Sequence, residues 1–355
     1  MTACEQPIEA HQALFYGDSA EYLAGIFDFI NPALDRDQPV AIAVPEPKLR
    51  LLEAELGDRA APIQLLDMFE LGRNPGRIIP AVLGMIERHA GRPLRYVGEP
   101  IWAGRSPEEI REAARHEALI NLAWPEADIS VLCPYDVAGL DDEVLRDAEH
   151  THPGVVHDRR LGPSSAYGNG AVPPGCEQSL SEPPPGALAR DFEIDDLGRL
   201  RAWIAERAEG SGLDTDRTTE LVTAINELTT NTVRHAGTHP LLRFWTAPGE
   251  VIFEVEDTGH IADPLAGRRL QTTGAGGLGL WMVHHLCDLS RCARVPLGPG
   301  SARIRGAGPR HAAGTKPAPS AFRHKGPRPT PAFRSCRSSP AAWSRRSRPG
   351  GGSCS

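Results

Sequence analysis

Glu227-Leu-Thr-Thr-Asn231-Thr-Val-Arg-His235-Ala-Gly237 is the stretch that decides how this chain is read. Between Asp214 and Ala236 the apolar residues Leu221, Val222, Ile225, Leu228 and Val233 recur with a helical period and share one broad arc. Glu220, Glu227, Asn231 and His235 fall on a separate narrow stripe. The i, i+4 spacing sets Glu227 beside Asn231. A carboxylate and an amide one turn apart offer oxygen ligands of the kind that hold Mg2+ against phosphates. An ordinary amphipathic helix would show the same period, so this segment needs partners.

Two later segments supply them. Glu250–Glu256 reads as a strand with Val251, Phe253 and Val255 on one face, and Asp257-Thr-Gly259 follows it. A carboxylate there can accept a hydrogen bond from an exocyclic amine, and Gly259 lets a ring approach the backbone. Residues 260–273 show no period and read as a mobile loop. Gly274-Ala-Gly276-Gly277-Leu278-Gly279-Leu280 then opens a helix that runs towards Asp288. Glycines at a helix start let backbone N–H groups face an anion. Each segment alone is common, and the ordered set is specific.

The set resembles the three nucleotide boxes of the Bergerat-type (GHKL) ATPases, over residues 188–289. His235-Ala-Gly237 and Gly277-Leu-Gly-Leu-Trp-Met-Val283 resemble most closely the anti-sigma-factor serine/threonine kinases. The resemblance implies ATP and Mg2+ as cofactors, with Asn231 as the Mg2+ ligand and Asp257 at the adenine. It implies that Gly259, Gly274, Gly276, Gly277, Leu278 and Gly279 line the nucleotide. Glu227 would be the base that takes the proton of a substrate hydroxyl, and residues 260–273 would be the lid.

The first half has another character. Val40–Val44, Ile63–Leu66, Leu94–Val97 and Ile129–Cys133 read as buried strands. Helical patterns over 19–30, 46–56, 76–90 and 106–122 lie between them, with Ser106 as N-cap and Pro107 near the helix start. Alternation of this kind implies a largely parallel sheet with helices on its faces. No Gly-x4-Gly-Lys-Ser/Thr loop is present, so an independent ATPase is not expected here. Gly72-Arg-Asn-Pro75, Val97-Gly-Glu99-Pro-Ile-Trp102, His116-Glu117-Ala-Leu-Ile-Asn121, Leu132-Cys-Pro-Tyr-Asp136 and Thr151-His-Pro153 are similar to landmarks of the MEDS sensory domain of methanogen and methylotroph sensors. That resemblance covers residues 10–157 and implies a RecA/KaiC-like fold without the nucleotide loop. Glu99, Trp102, Glu117 and Asn121 are candidates for a sensing pocket, against a purely structural role in fixing turns and helix packing. Cys133 reads as a small buried hydrophobe. His116-Glu117 faintly matches the phosphoacceptor of histidine kinases.

Residues 158–187, rich in Pro, Gly and Ser, read as a linker that packs no core. From Ser290 to Ser355 there are 14 Lys/Arg and no Asp or Glu, which leaves 24 basic against 46 acidic residues for 1–289, a net of −22. The acidic halves disfavour nucleic acid, and the tail alone could act as an arm for it. The tail composition predicts disorder and looks like DNA read out of frame. On that expectation the second domain lacks its closing strands and leaves an exposed edge. Seven cysteines at 4, 133, 176, 287, 292, 336 and 354 show no metal-ligand spacing. With no secretory signal and no apolar run of membrane length, a cytoplasmic setting is expected.

The fold class expected is α/β throughout, with a parallel-sheet sensory domain, a Bergerat-type α/β sandwich and a disordered basic tail. The function expected is a bacterial signalling regulator, a protein serine/threonine kinase coupled to a sensor. Its partners would be a sigma factor or an anti-sigma antagonist, with no membrane, and a homodimer is left open. The alternatives are a sensor histidine kinase and a non-catalytic ATP-binding module.

Overall fold

The computed structural model describes residues 7–176, 180–235, 240–259, 261–269, 278–294 and 302–307. The first part alternates strands and helices: β1 (His11–Tyr16), α1 (Ser19–Leu34), β2 (Val40–Val44), α2 (Glu46–Leu56), β3 (Gln64–Asp67), α3 (Met68–Leu71), α4 (Ile78–Arg88), β4 (Leu94–Gly98), α5 (Pro107–Ala123), β5 (Ile129–Asp136), α6 (Asp142–Thr151), β6 (Gly154–His157) and β7 (Arg160–Pro163). The sheet order is β3-β2-β4-β5-β1-β6-β7. All pairs are parallel except β6 with β7. Val40 to Val44 are all buried, as a strand covered on both faces requires.

Two apolar clusters cover the two faces. Ile26, Ile30, Ile42, Leu52 and Leu132 belong to one, and Val82, Met85, Tyr96, Val131 and Tyr135 to the other. Helix α5 begins as its sequence directs: the Ser106 hydroxyl accepts from Glu109 N, the Glu109 carboxylate accepts from Ser106 N, and Pro107 occupies the first turn.

The second part comprises β8 (Leu188–Asp191), α7 (Leu197–Gly210), α8 (Thr215–His235), β9 (Leu241–Ala247), β10 (Glu250–Asp257), α9 (Leu278–Leu286), β11 (Leu289–Arg294) and β12 (Ala302–Ala307). Its strands form one antiparallel sheet in the order β11-β12-β10-β9-β8. Leu221, Ala224, Ile225 and Leu228 of α8 pack with Val251, Phe253 and Val255 of β10 in one core.

Three expectations are corrected. The sheet does have its closing strands: β12 pairs with β10 from Ile252↔Ala307 to Asp257↔Ala302, and β11 pairs with β12. The ladder is a backbone structure, so a segment rich in Arg, Ala and Gly can still supply it. Residues 295–301 and those after 307 lie outside the described set, with most of the segment expected to be disordered. The linker expected over 158–187 begins later, because β7 pairs back on β6 and Cys176 and Leu180 are buried. The loop expected to be mobile is anchored over 261–269. Leu265 is buried against Ile79, Leu119 and Ala123 of the first part.

The two parts share a polar seam as well. Arg268 pairs with Glu112 of α5, and both are buried. Arg269 donates to the carbonyls of Leu122 and Ala123 at the end of α5. Arg115 donates to Cys292 O at 3.0 Å. At the far end of α9, Arg77 donates to the carbonyls of His284 (3.0 Å), His285 (2.5 Å) and Cys287 (3.3 Å). These are carbonyls that a helix C-terminus leaves unpaired. Asn74 donates to Cys287 O at 3.1 Å and Ser290 Oγ at 2.9 Å, and Arg73 pairs with Asp288 at 3.0 Å.

Candidate functional site

Helix α8 and the start of α9 build the first site. Glu227 and Asn231 lie one turn apart on α8, half-buried, beside the arc that packs on the sheet. Gly279, in the first turn of α9, is buried over them. A Cβ at 279 would collide with the Asn231 amide and lie 3.4 Å from Glu227 Oε2. Only glycine permits that approach.

Asp257, at the end of β10, is fixed by two donors. Thr232 Oγ1 donates to its Oδ2 at 2.6 Å, and Gly259 N donates to its Oδ1 at 2.8 Å. The carboxylate is thereby tied to the residue next to Asn231. Sequence reading did not single out Thr232, although its place beside Asn231, one turn on from Leu228, was the available signal. Leu278 is exposed at the helix start. Gly274, Gly276 and Gly277 lie outside the described residues.

The donor set fits a magnesium nucleotide. Glu227 and Asn231 supply oxygens, and the cradle left by Gly279 keeps the space above Asn231 free of a side chain.

The residues picked out in the first part separate into three places. Glu99 is buried at the carboxyl end of β4. It accepts from Tyr16 at 3.2 Å and Tyr22 at 3.4 Å and pairs with Lys48. Burial outweighs those partners and lifts its carboxyl to about 7. Trp102 stacks under Arg105 at 4.2 Å and meets Phe69 edge-on.

Glu117 and Asn121 lie elsewhere, on the buried face of α5, where His11, Cys133 and His152 converge on Glu117. Cys133 is buried as expected, but it is more than a small hydrophobe: its Sγ lies 3.3 Å from Glu117 Oε2. Sequence reading missed His11 as a site residue and noted His152 only as a landmark. His11 is 106 residues from Glu117 in the chain, so no local spacing could show the pair. His116 is 1% exposed, and burial pulls its imidazole down to about 3. A ring so enclosed and so weakly basic is not offered to a phosphoryl donor.

These features define the class first: a parallel-sheet α/β domain, gripping an antiparallel-sheet domain whose helix pair and strand end converge on one polar site. Comparison with family models names the parts. Residues 10–153 match the MEDS family, described as the methanogen/methylotroph, DcmR sensory domain, and residues 191–299 match the histidine kinase-like ATPase domain. The chain therefore carries an N-terminal MEDS domain and a C-terminal histidine kinase-like ATPase domain. Among solved structures, the RsbU and RsbW domains of Rv1364c from Mycobacterium tuberculosis are similar at 21% identity over 36% of this chain, with a TM-score of 0.27. The match spans 33% of that chain. No curated protein matches. Among the described residues no helix is long and apolar enough to cross a membrane.

Proposed function

We propose that the chain is a cytoplasmic signalling regulator whose C-terminal domain is a serine/threonine kinase of the anti-sigma type, governed by the MEDS domain. The observation that carries the reading is the packing of Gly279 on Asn231 and Glu227, which brings the first and third sequence segments together. The Thr232–Asp257 hydrogen bond ties in the second.

Bound ATP with Mg2+ would supply the γ-phosphoryl group. Asn231 would hold the metal, and Asp257 would accept a hydrogen bond from the adenine amine. Gly259 and the glycines up to Gly279 would line the nucleotide. Glu227 would take the proton of a serine or threonine hydroxyl on the partner. The anti-sigma specificity rests on the sequence resemblance around His235-Ala-Gly237 and Gly277-Leu-Gly-Leu-Trp-Met-Val283. It makes a sigma factor or its antagonist the partner class. The α5 contacts with Arg268, Arg269 and the Cys292 carbonyl provide the physical route from sensor to ATPase.

The test is phosphotransfer from γ-labelled ATP to a candidate antagonist. The wild type should yield acid-stable phosphoserine or phosphothreonine. Glu227→Gln should bind ATP and transfer nothing, and Asn231→Ala should lose Mg-ATP binding with its circular dichroism intact. Acid-labile phosphate on the chain itself would favour a histidine kinase. ATP binding without transfer to any tested antagonist would favour a non-catalytic module.

A further inference from the structure

Four side chains inside the MEDS domain converge almost wholly out of reach of solvent. His11 opens β1, Cys133 lies in β5, Glu117 is on α5, and His152 stands between α6 and β6. Exposure is 2% for His11, 1% for Cys133 and 0% for Glu117 and His152. One ligand-type atom from each lies within 4.8 Å of all the others.

The hydrogen bonds around the cluster fix the tautomers. Asn121 Nδ2 donates to the Thr151 carbonyl at 2.8 Å, so its Oδ1 is the atom that faces His11 Nδ1 at 3.1 Å. His11 Nδ1 must therefore carry the proton. His152 Nδ1 lies 2.7 Å from the Ala148 carbonyl and must carry its proton too. In a neutral imidazole the other nitrogen then holds a lone pair. Both Nε2 atoms point at the same carboxylate oxygen, Glu117 Oε2, from 3.1 Å and 3.5 Å.

Lone pairs facing a buried carboxylate repel unless something positive sits between them. The same carboxylate leaves Oε1 buried without a hydrogen-bond partner, and His152 Nε2 has none either. A plain polar network would leave these atoms at a large desolvation cost.

The spacing fits a cation. A tetrahedral zinc ion, with bonds of about 2.0–2.1 Å to N or O and about 2.3 Å to S, sets its ligand atoms about 3.3–3.6 Å apart. Here the Cys133–Glu117, Cys133–His11 and His152–Glu117 separations are 3.3, 3.5 and 3.5 Å, and the His11–Glu117 separation is 3.1 Å. The two remaining pairs, His152 with His11 and with Cys133, lie within 4.8 Å, so ligation would draw the His152 ring inwards. The Nδ1–H bonds to a side-chain amide and a backbone carbonyl are the support that metal-bound histidines ordinarily have. Two neutral imidazoles, one thiolate and one carboxylate also neutralise a dication, so the filled site buries no net charge.

We propose that His11, Glu117, Cys133 and His152 form a tetrahedral zinc site in the core of the MEDS domain. All four positions are filled by protein, which makes it a closed site, and binding releases the Cys133 thiol proton. The site stands apart from the nucleotide residues, and its test is independent of any kinase activity.

The probe is Co2+ added to the full-length chain after chelation, followed by optical spectroscopy and metal analysis. One equivalent should bind with strong ligand-field bands and a thiolate-to-cobalt charge-transfer band, and one equivalent of Zn2+ should displace it. Cys133→Ser should lose the charge-transfer band, and His152→Gln should weaken cobalt affinity at least about tenfold. Zn2+ should also raise the melting temperature of the wild type, a readout that survives if a variant fails to fold. A folded wild type that takes up no stoichiometric metal would overturn the assignment. So would a charge-transfer band that persists in Cys133→Ser.

Discussion

Replacing Glu112 by Gln leaves Arg268 charged and without a counter-ion at a place where 3% of its surface meets solvent. Burial already pulls the guanidinium below its ordinary range, against the attraction of Glu112. The remaining acceptor is the Pro75 carbonyl at 3.3 Å. Removing one partner of a buried pair costs about 3–5 kcal/mol, and the amide recovers part of that, so about 3 kcal/mol is expected. The segment 261–269 can avoid the cost by leaving α5. It then gives up the burial of Leu265, worth about 2 kcal/mol, and the Arg269 bonds to Leu122 and Ala123. The balance shifts towards the released state. Hydrogen exchange reads it directly, because Ala266 N and Arg268 N bond within the segment at 3.1 and 2.9 Å. Their exchange should speed up about a hundredfold, since each 1.4 kcal/mol is a factor of ten. Amides of β4 should not change. The paired replacement Glu112→Met with Arg268→Met should restore slow exchange, because no charge is left unpaired. Exchange unchanged within about twofold in Glu112→Gln would refute the claim that this ion pair holds the loop down.

Two further outcomes follow from the fold. Glu99 holds its proton up to about 7 when folded, above its ordinary 4.5, so its contribution to stability is full below about pH 4.5 and lost as pH rises through 7. That amounts to about 3 kcal/mol. Urea midpoints should fall from pH 5 to pH 8 in the wild type and much less in Glu99→Gln, and equal slopes would contradict the assignment. A chain ending at Asp288 loses β11 and β12, strips one edge of β10 and removes Ser290 from Asn74 and the Cys292 carbonyl from Arg115. It should melt earlier and scatter light at lower concentration than a chain ending at Ala307; equal melting would show that the two strands do not close the sheet.

What the sequence made legible followed its periodicity. Val40–Val44 was plain because burial on both faces leaves an unbroken apolar run, and Leu94–Val97 because only the half-buried Arg95 interrupts it. Helix α8 showed itself through one apolar arc, the adjacency of Glu227 and Asn231 through their i, i+4 spacing, and the place of Asp257 through the strand that precedes it. What stayed hidden depends on pairing at a distance. β1 begins with His11 and Gln12, polar yet buried, so its first residues break the pattern of a core strand. β7 ends in Pro163, which an edge strand tolerates and a linker also favours. β11 and β12 carry arginines and small residues, and only the ladder of β12 on β10 and of β11 on β12 makes them strands. The loop 261–269 looked mobile because its anchors, Glu112 and the carbonyls ending α5, belong to the other domain.

Helix α9 is nine residues long, so its axis spans about 13 Å at 1.5 Å per residue. One end carries Gly279 against Asn231 and Glu227, and the other is clasped by Arg77 and Asn74 of the MEDS domain. The clearance at the clasp is nil, since even a methyl group on Gly76 would run into the His284 ring. A rod held this way acts as a lever. A tilt of roughly 5° imposed at the clasp moves the opposite end by about 1 Å, and misplacement of that size is enough to cost about a hundredfold in a positioned reaction. If the MEDS domain governs the ATPase domain as proposed, it needs no large rearrangement: a small rotation at the clasp would suffice.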